Sequence, residues 1–241
     1  MTTEVLPGNY RGVRRGERLA NCIGAWHKRH YTGFTLIELV VVVGLILILT
    51  GLVLSTVGYA RKKGARARAE TEIAAMAAAL ESYKADNASY PRDPTANTAT
   101  DALDARTMID PVNANATLYK TASLVLYRAL SGDRNLDRSV TAADENFNID
   151  GSALSPPLSQ PPVIYFTFKP SMLSPADQAQ NVQYIQDPFG NTYGYSTANQ
   201  YDPTTPRGYN PTFDLWSTAG VAASPTPAPP TTQQDLWIKN W

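Results

Sequence analysis

Between Phe34 and Val57 the sequence FTLIELVVVVGLILILTGLVLSTV carries a single ionisable group, Glu38. As a helix such a run rises about 36 Å, enough to cross a hydrocarbon core of roughly 30 Å with some tilt. The run therefore reads as a membrane segment. A carboxylate near its start is costly in lipid, so Glu38 is by default a functional group awaiting a partner. An ordinary secretory signal places its cleavage site after a short apolar core, whereas here a polar leader ends at Gly33 and the apolar run follows. The hydrophobic helix is thus expected to survive any processing at that point.

Gly33-Phe34-Thr35-Leu36-Ile37-Glu38-Leu39 resembles the processing site of type IV prepilins and of the pseudopilins of type II secretion systems. The resemblance implies that a prepilin peptidase cuts between Gly33 and Phe34 and methylates the new amine, and that Glu38 is the assembly glutamate. Elementary chemistry agrees. A free amine at Phe34, with a pKa of about 7.7–8.0, is largely protonated at neutral pH and lies one helical turn from Glu38. In a filament the amine of an incoming subunit can be drawn to Glu38 of a neighbour, which sets the axial register. The alternative is an uncleaved signal anchor whose glutamate pairs locally.

Arg11, Arg14, Arg15, Arg18, Lys28 and Arg29 outnumber Glu4 and Glu17 before the cut, which favours a cytoplasmic N-terminus. Arg61, Lys62, Lys63, Arg66 and Arg68 beyond the run weaken that bias, so the orientation leans on the resemblance. Cys22, His27 and His30 are the only cysteine and histidines, and all precede the cut. A mature chain without them has no serine–histidine or cysteine–histidine nucleophile, no histidine or thiolate zinc site and no disulfide. An enzyme is therefore not expected. Removing the leader's six basic and two acidic residues from 21 and 21 leaves 15 against 19, a mildly acidic chain with no nucleic-acid footprint.

Beyond the bilayer, Arg61 to Lys84 is rich in strong helix formers, with Ile73, Met76, Leu80 and Tyr83 at spacings of three and four. One helix is expected from Phe34 to about Asn87, ending before Pro91, with one face packed on a head. Gly44, Gly51 and Gly58 recur every seven residues. They read equally as a close-packing face or as ordinary membrane-helix composition. In the head, Thr121–Leu130 reads as a short helix and Val163–Phe168 as the best strand. Asp187-Pro188-Phe189-Gly190-Asn191 is a turn into a strand at Thr192–Ser196, Thr212–Trp216 is another strand, and Ala222–Thr232 is a loop.

Several pieces resemble the major pseudopilin of type II secretion: Tyr83 to Asn87 with Tyr90-Pro91, the Asp187–Asn191 turn, Phe213 to Ser217, and the tail Asp235 to Trp241. The stretch from Pro94 to Gln186 is far longer than that subfamily's usual connection. The subfamily binds Ca²⁺ in an acidic loop after the last strand, but Thr218 to Gln234 contains no acidic residue, so no tight site is expected there. A different candidate lies within the long stretch. Asp133, Asn135, Asp137, Ser139, Thr141 and Asp144 fall at positions 1, 3, 5, 7, 9 and 12 of an EF-hand-like loop, with apolar Val140 at position 8. Arg138 replaces the glycine of the sharp turn, and Asp144 is shorter than the usual glutamate. The alternative is a solvated acidic loop capped by Gly132.

The expected fold is α+β and pilin-like, a long N-terminal helix on a small antiparallel sheet. Residues 1–33 are expected to be a cleaved cytoplasmic leader, 34–58 the transmembrane half of the helix, 59–90 its amphipathic half, and 91–241 a periplasmic head with an insertion at about 94–186. The resemblance implies a structural subunit of a type II secretion pseudopilus, single-pass in the inner membrane and assembled into a periplasmic filament that drives protein export. Its partners would be the peptidase, other copies, minor pseudopilins and an inner-membrane assembly platform. A type IV minor pilin with an adhesive or ligand-binding head, argued from the insertion and from Trp237 and Trp241, is the alternative. Calcium is the sole cofactor suggested.

Overall fold

The computed structural model describes residues 33–93, 99–205, 207–221 and 232–241. The leader with Cys22, His27 and His30, and the loop 222–231, lie outside the described residues. The chain divides into two compact units, Met1–Gly51 and Leu52–Trp241. Helix α1 spans Leu36–Asn87, and the division falls within it. It starts two residues after the expected Phe34.

In the first unit Gly33 to Thr35 precede the helix without regular structure. The side chains of Phe34, Leu36, Ile37 and the valines and leucines to Leu49 are all exposed. By length and composition α1 can cross a membrane. A Cβ placed on Gly44 or Gly51 meets nothing within 4 Å. Neither glycine is therefore required by packing inside this chain.

In the second unit the remainder of α1 buries Ala69, Ile73, Met76, Ala79 and Leu80, the face expected from their three- and four-residue spacing. The helix ends where the Asn87 side-chain amide donates to the Tyr83 carbonyl at 2.9 Å and Ala88 takes a left-handed φ of 61°. Helix α2, Ala116–Ser131, begins earlier than the expected Thr121 and ends at Gly132 (φ 79°), whose N–H closes on the Arg128 carbonyl. It packs against the strands β2 (Tyr184–Ile185) and β3 (Gly194–Ser196) and places Leu126 and Leu130 in the same core as Met76 and Leu80. The long connection after Asp93 is therefore not an appendage; its α2 is part of the core.

Strand β1 (Leu173–Ser174) pairs antiparallel with β2. Strands β3, β4 (Asp214–Ser217) and β5 (Ile238–Lys239) form an antiparallel sheet in that order. A single long helix with small antiparallel sheets is the α+β, pilin-like fold that the sequence predicts. One expected strand is absent. Val163 to Phe168 joins no ladder and bends at Tyr165: Tyr165 N–H and Phe166 N–H both donate to the Leu130 carbonyl, and Val163 and Ile164 stay exposed. Prolines at 161, 162 and 170 flank it, and a proline offers no N–H to a partner strand. Its aromatics pack instead, Phe166 edge-on to Phe168 and Phe168 tilted on Tyr127.

Gly194 faces Trp216 across β3 and β4. A Cβ there would lie 2.1 Å from Trp216 Cε2. The indole cannot retreat, because Trp237 stacks on it at 5.9 Å, Tyr119 meets it edge-on at 5.6 Å, and its Nε1 donates to the Tyr119 hydroxyl. Gly194→Ala is expected to lower stability by about 1–3 kcal/mol through overpacking, read as a shift in denaturant midpoint. An unchanged midpoint would show that the indole has room to move.

Candidate processing and assembly site

The helix that carries Glu38 is started by Thr35. Its Oγ1 accepts from the Glu38 N–H at 3.3 Å, and its carbonyl accepts from the Leu39 N–H at 3.2 Å. Thr35 is thus the N-cap and Glu38 the third helical residue, the spacing at which a hydroxyl satisfies an otherwise orphan amide. A carboxylate in the first turn is further favoured by the positive end of the helix dipole. Glu38 is exposed and, among the described residues, has no ion-pair partner. Phe34 is also exposed, and a Cβ on Gly33 would meet nothing within 4 Å. The chain itself makes no demand for glycine at 33, so any such demand comes from a molecule that handles this segment.

Residues 28–54 match the model of the prokaryotic N-terminal methylation motif. The chain carries the prepilin-type cleavage and methylation signature of type IV pilin-like proteins. That motif marks structural subunits rather than enzymes, and it implies processing by a prepilin peptidase and assembly into a pilus. Together with the apolar helix it fits a membrane-anchored pilin. Comparison with curated proteins and with solved structures finds no match.

Thr35 is the residue that positions Glu38, through the cap on its backbone N–H. The T-x-x-E spacing that signals a capped helix start was present in Thr35-Leu36-Ile37-Glu38.

The EF-hand-like loop follows α2 directly. Asp133 is buried, its Oδ2 accepting from the Tyr127 hydroxyl at 2.7 Å and the Arg138 N–H at 2.8 Å. Asn135 Oδ1 accepts from the Asp137 N–H, and its amide donates to Asp137 Oδ2. Asp137 Oδ1 takes the Ser139 N–H and hydroxyl. Arg138 makes the sharp turn without glycine, at a left-handed φ of 73°, and its guanidinium donates to the Gln180 and Pro175 carbonyls. Burial, with the charges of Asp144 and Asp137, raises the Asp133 pKa against the pull of its hydrogen bonds. Desolvation pushes the Asp137 pKa up, but the hydrogen bonds from Ser139 and Asn135 together outweigh it and hold the group below its ordinary value.

The last two positions have other work. Thr141 caps the 3-10 turn Ala142–Asn146, accepting from the Ala143 N–H. Asp144 Oδ1 takes the Arg134 and Asn135 N–H groups, and its Oδ2 takes the Thr141 N–H. Among the described residues no three acidic, histidine or cysteine side chains are gathered as a metal group. In the tail, the Asp235 carboxylate accepts from the Thr232 N–H and hydroxyl in a capping box.

Proposed function

We infer that the chain is a structural subunit of a type II secretion pseudopilus. It is cut between Gly33 and Phe34, methylated on Phe34, held in the inner membrane with its head in the periplasm, and stacked through its N-terminal helices into a filament that drives export. Association of identical subunits through a heterologous, non-closing contact gives such a filament. The reading rests on one observation beyond the methylation motif. Three of the four pieces that resemble a major pseudopilin, namely the Asp187–Asn191 turn, strand β4 and the C-terminal strand β5, pack as one unit, with Asp187 accepting from the Ser217 hydroxyl and Ser217 paired with Ile238. The aromatic tail that argued for a ligand-binding head is occupied internally. Trp237 is 2% exposed and stacked on Trp216, and Trp241 stacks on Tyr209 at 4.6 Å.

Mass spectrometry of the membrane-extracted chain tests the processing step. The expected mature N-terminus is N-methylated Phe34. Gly33→Ala should still be cut, whereas Gly33→Leu should accumulate uncut, because the open surroundings of Gly33 leave the size limit to the peptidase. An intact Met1 or Thr2 terminus in the membrane fraction overturns this reading. Loss of the gene should then stop export of folded proteins while leaving adhesion and motility unchanged.

A further inference from the structure

Asp133 Oδ1, in the loop between α2 and the 3-10 turn, is a buried acceptor with no hydrogen-bond partner among the described residues. Asp133 itself is only 1% exposed. Its other oxygen bridges the Arg138 N–H inside the loop and the Tyr127 hydroxyl of α2, which holds the carboxylate at the base of the loop. A buried polar atom without a partner is costly, more so when charged. Hydrogen-bond donors have been supplied to every other carboxylate oxygen of the loop, on Asp137 and Asp144. The bare oxygen is therefore a gap that a cation fits.

We propose that the loop Asp133–Asp144 binds one calcium ion, with Asp133 Oδ1 as the anchoring ligand. An ionised carboxylate offers about four lone-pair sites, so an oxygen with a single donor can still accept a cation. Asp137 Oδ2 and Asn135 Oδ1 each have one donor and retain that capacity. Position 7 of such a loop contributes its backbone carbonyl, here that of Ser139. Asp144, with three backbone N–H donors shared between its two oxygens, instead closes the loop and holds Arg134, Asn135 and Thr141 in place. The structure thus moves Asp144 and Thr141 from the ligand set to its support. Four protein oxygens with two carboxylates make a weak site completed by water, in the class with dissociation constants of about 10⁻⁴–10⁻³ M. The site stands independently of the filament reading.

The test is calorimetric titration of the full chain in detergent with calcium chloride, to about tenfold above that range, and in parallel with magnesium chloride. One saturable calcium per chain is expected, without the same response to magnesium, which keeps its own waters and demands a tighter octahedron. Asp133→Asn and Asp137→Asn should each abolish the saturable uptake, and Tyr127→Phe should weaken it by about 10- to 100-fold through the lost support of Asp133. Asp137 is exposed, so its variant keeps the core whole and decides the matter if the Asp133 variant fails to fold. Asp177→Asn, an exposed acid of another loop, should bind as the wild type does. No saturable uptake by the folded wild type overturns the proposal. So does uptake by Asp137→Asn equal to that of wild type, which marks a diffuse counter-ion cloud.

Discussion

Glu38→Val is expected to leave the chain inserted in the membrane and to abolish filament assembly. Insertion should survive because the substitution removes an ionised group from an apolar run, the costly element of that segment. The helix start should survive as well, since Thr35 Oγ1 caps the Glu38 backbone N–H and not its side chain. Valine forms helix less readily than glutamate, but by less than about 0.7 kcal/mol at one position. Among the described residues Glu38 has no ion-pair partner, so the variant breaks no internal pair. Under the proposed assembly, what it removes is the acceptor for the protonated Phe34 amine of another subunit. Thr35→Val makes the matching control: it loses a cap worth about 1 kcal/mol and keeps the carboxylate, so it should still assemble. Filaments of Glu38→Val formed at the wild-type rate in a reconstituted system would show that the charge pair is unnecessary.

How much of this was legible in the sequence depended on how local the cause was. The long helix, its buried stripe of Ile73, Met76 and Leu80 and its stop before Pro91 follow from periodicity and backbone chemistry inside one segment, and the structure has them. The turn at Asp187 to Asn191 and the strands β3 and β4 were equally local, being marked by Gly190 and by short β-prone runs. The failure at Val163 to Phe168 had a non-local cause. Its composition is that of a strand, but a strand needs a partner, and the Tyr165 and Phe166 N–H groups both go to the Leu130 carbonyl near the end of α2. The role of the stretch after Asp93 was hidden for the same reason: nothing in TASLVLYRAL says that its apolar face shares a core with α1. In the acidic loop the oxygen spacing was visible, whereas the diversion of Asp144 to backbone amides depends on the backbone path.

The polar network in the core ties these pieces together and produces the second large expected effect. Glu72 on α1 is buried, accepting from Arg68 Nε at 2.7 Å and the Tyr193 hydroxyl at 2.8 Å, while Arg68 also donates to Ser171. Near it Asp187, 1% exposed, accepts from the Phe189 and Asn191 N–H groups and from the Ser217 hydroxyl. Asn191 in turn donates to the Thr218 hydroxyl. One carboxylate therefore fixes both the turn and its junction with β4, where β5 pairs.

Asp187→Ala is expected to be severely destabilising. It strips the acceptor from three buried or half-buried donors at about 1–3 kcal/mol each, a large part of the 5–15 kcal/mol that holds a typical domain together. Asp187→Asn should cost much less, because its carbonyl still serves the two amides and its NH₂ can donate to Ser217 Oγ. The two proteins should also diverge with pH. Burial raises the Asp187 pKa above its ordinary 3.8, against the lowering effect of its hydrogen bonds and with a further push from the Glu72 charge. A carboxyl with a raised folded value stabilises fully below the unfolded value and loses that contribution as pH climbs through the folded one. Asparagine does not titrate, so the stability of Asp187→Asn relative to wild type should improve as pH climbs from the ordinary carboxylate range through the raised folded value. Denaturant unfolding of the full chain in detergent, followed by the near-ultraviolet signal of the stacked Trp216 and Trp237, reads both effects. An alanine variant as stable as wild type would mean that the turn is held by its backbone alone, and a wild-type-to-asparagine gap that is flat with pH would mean that Asp187 keeps an ordinary pKa in the fold.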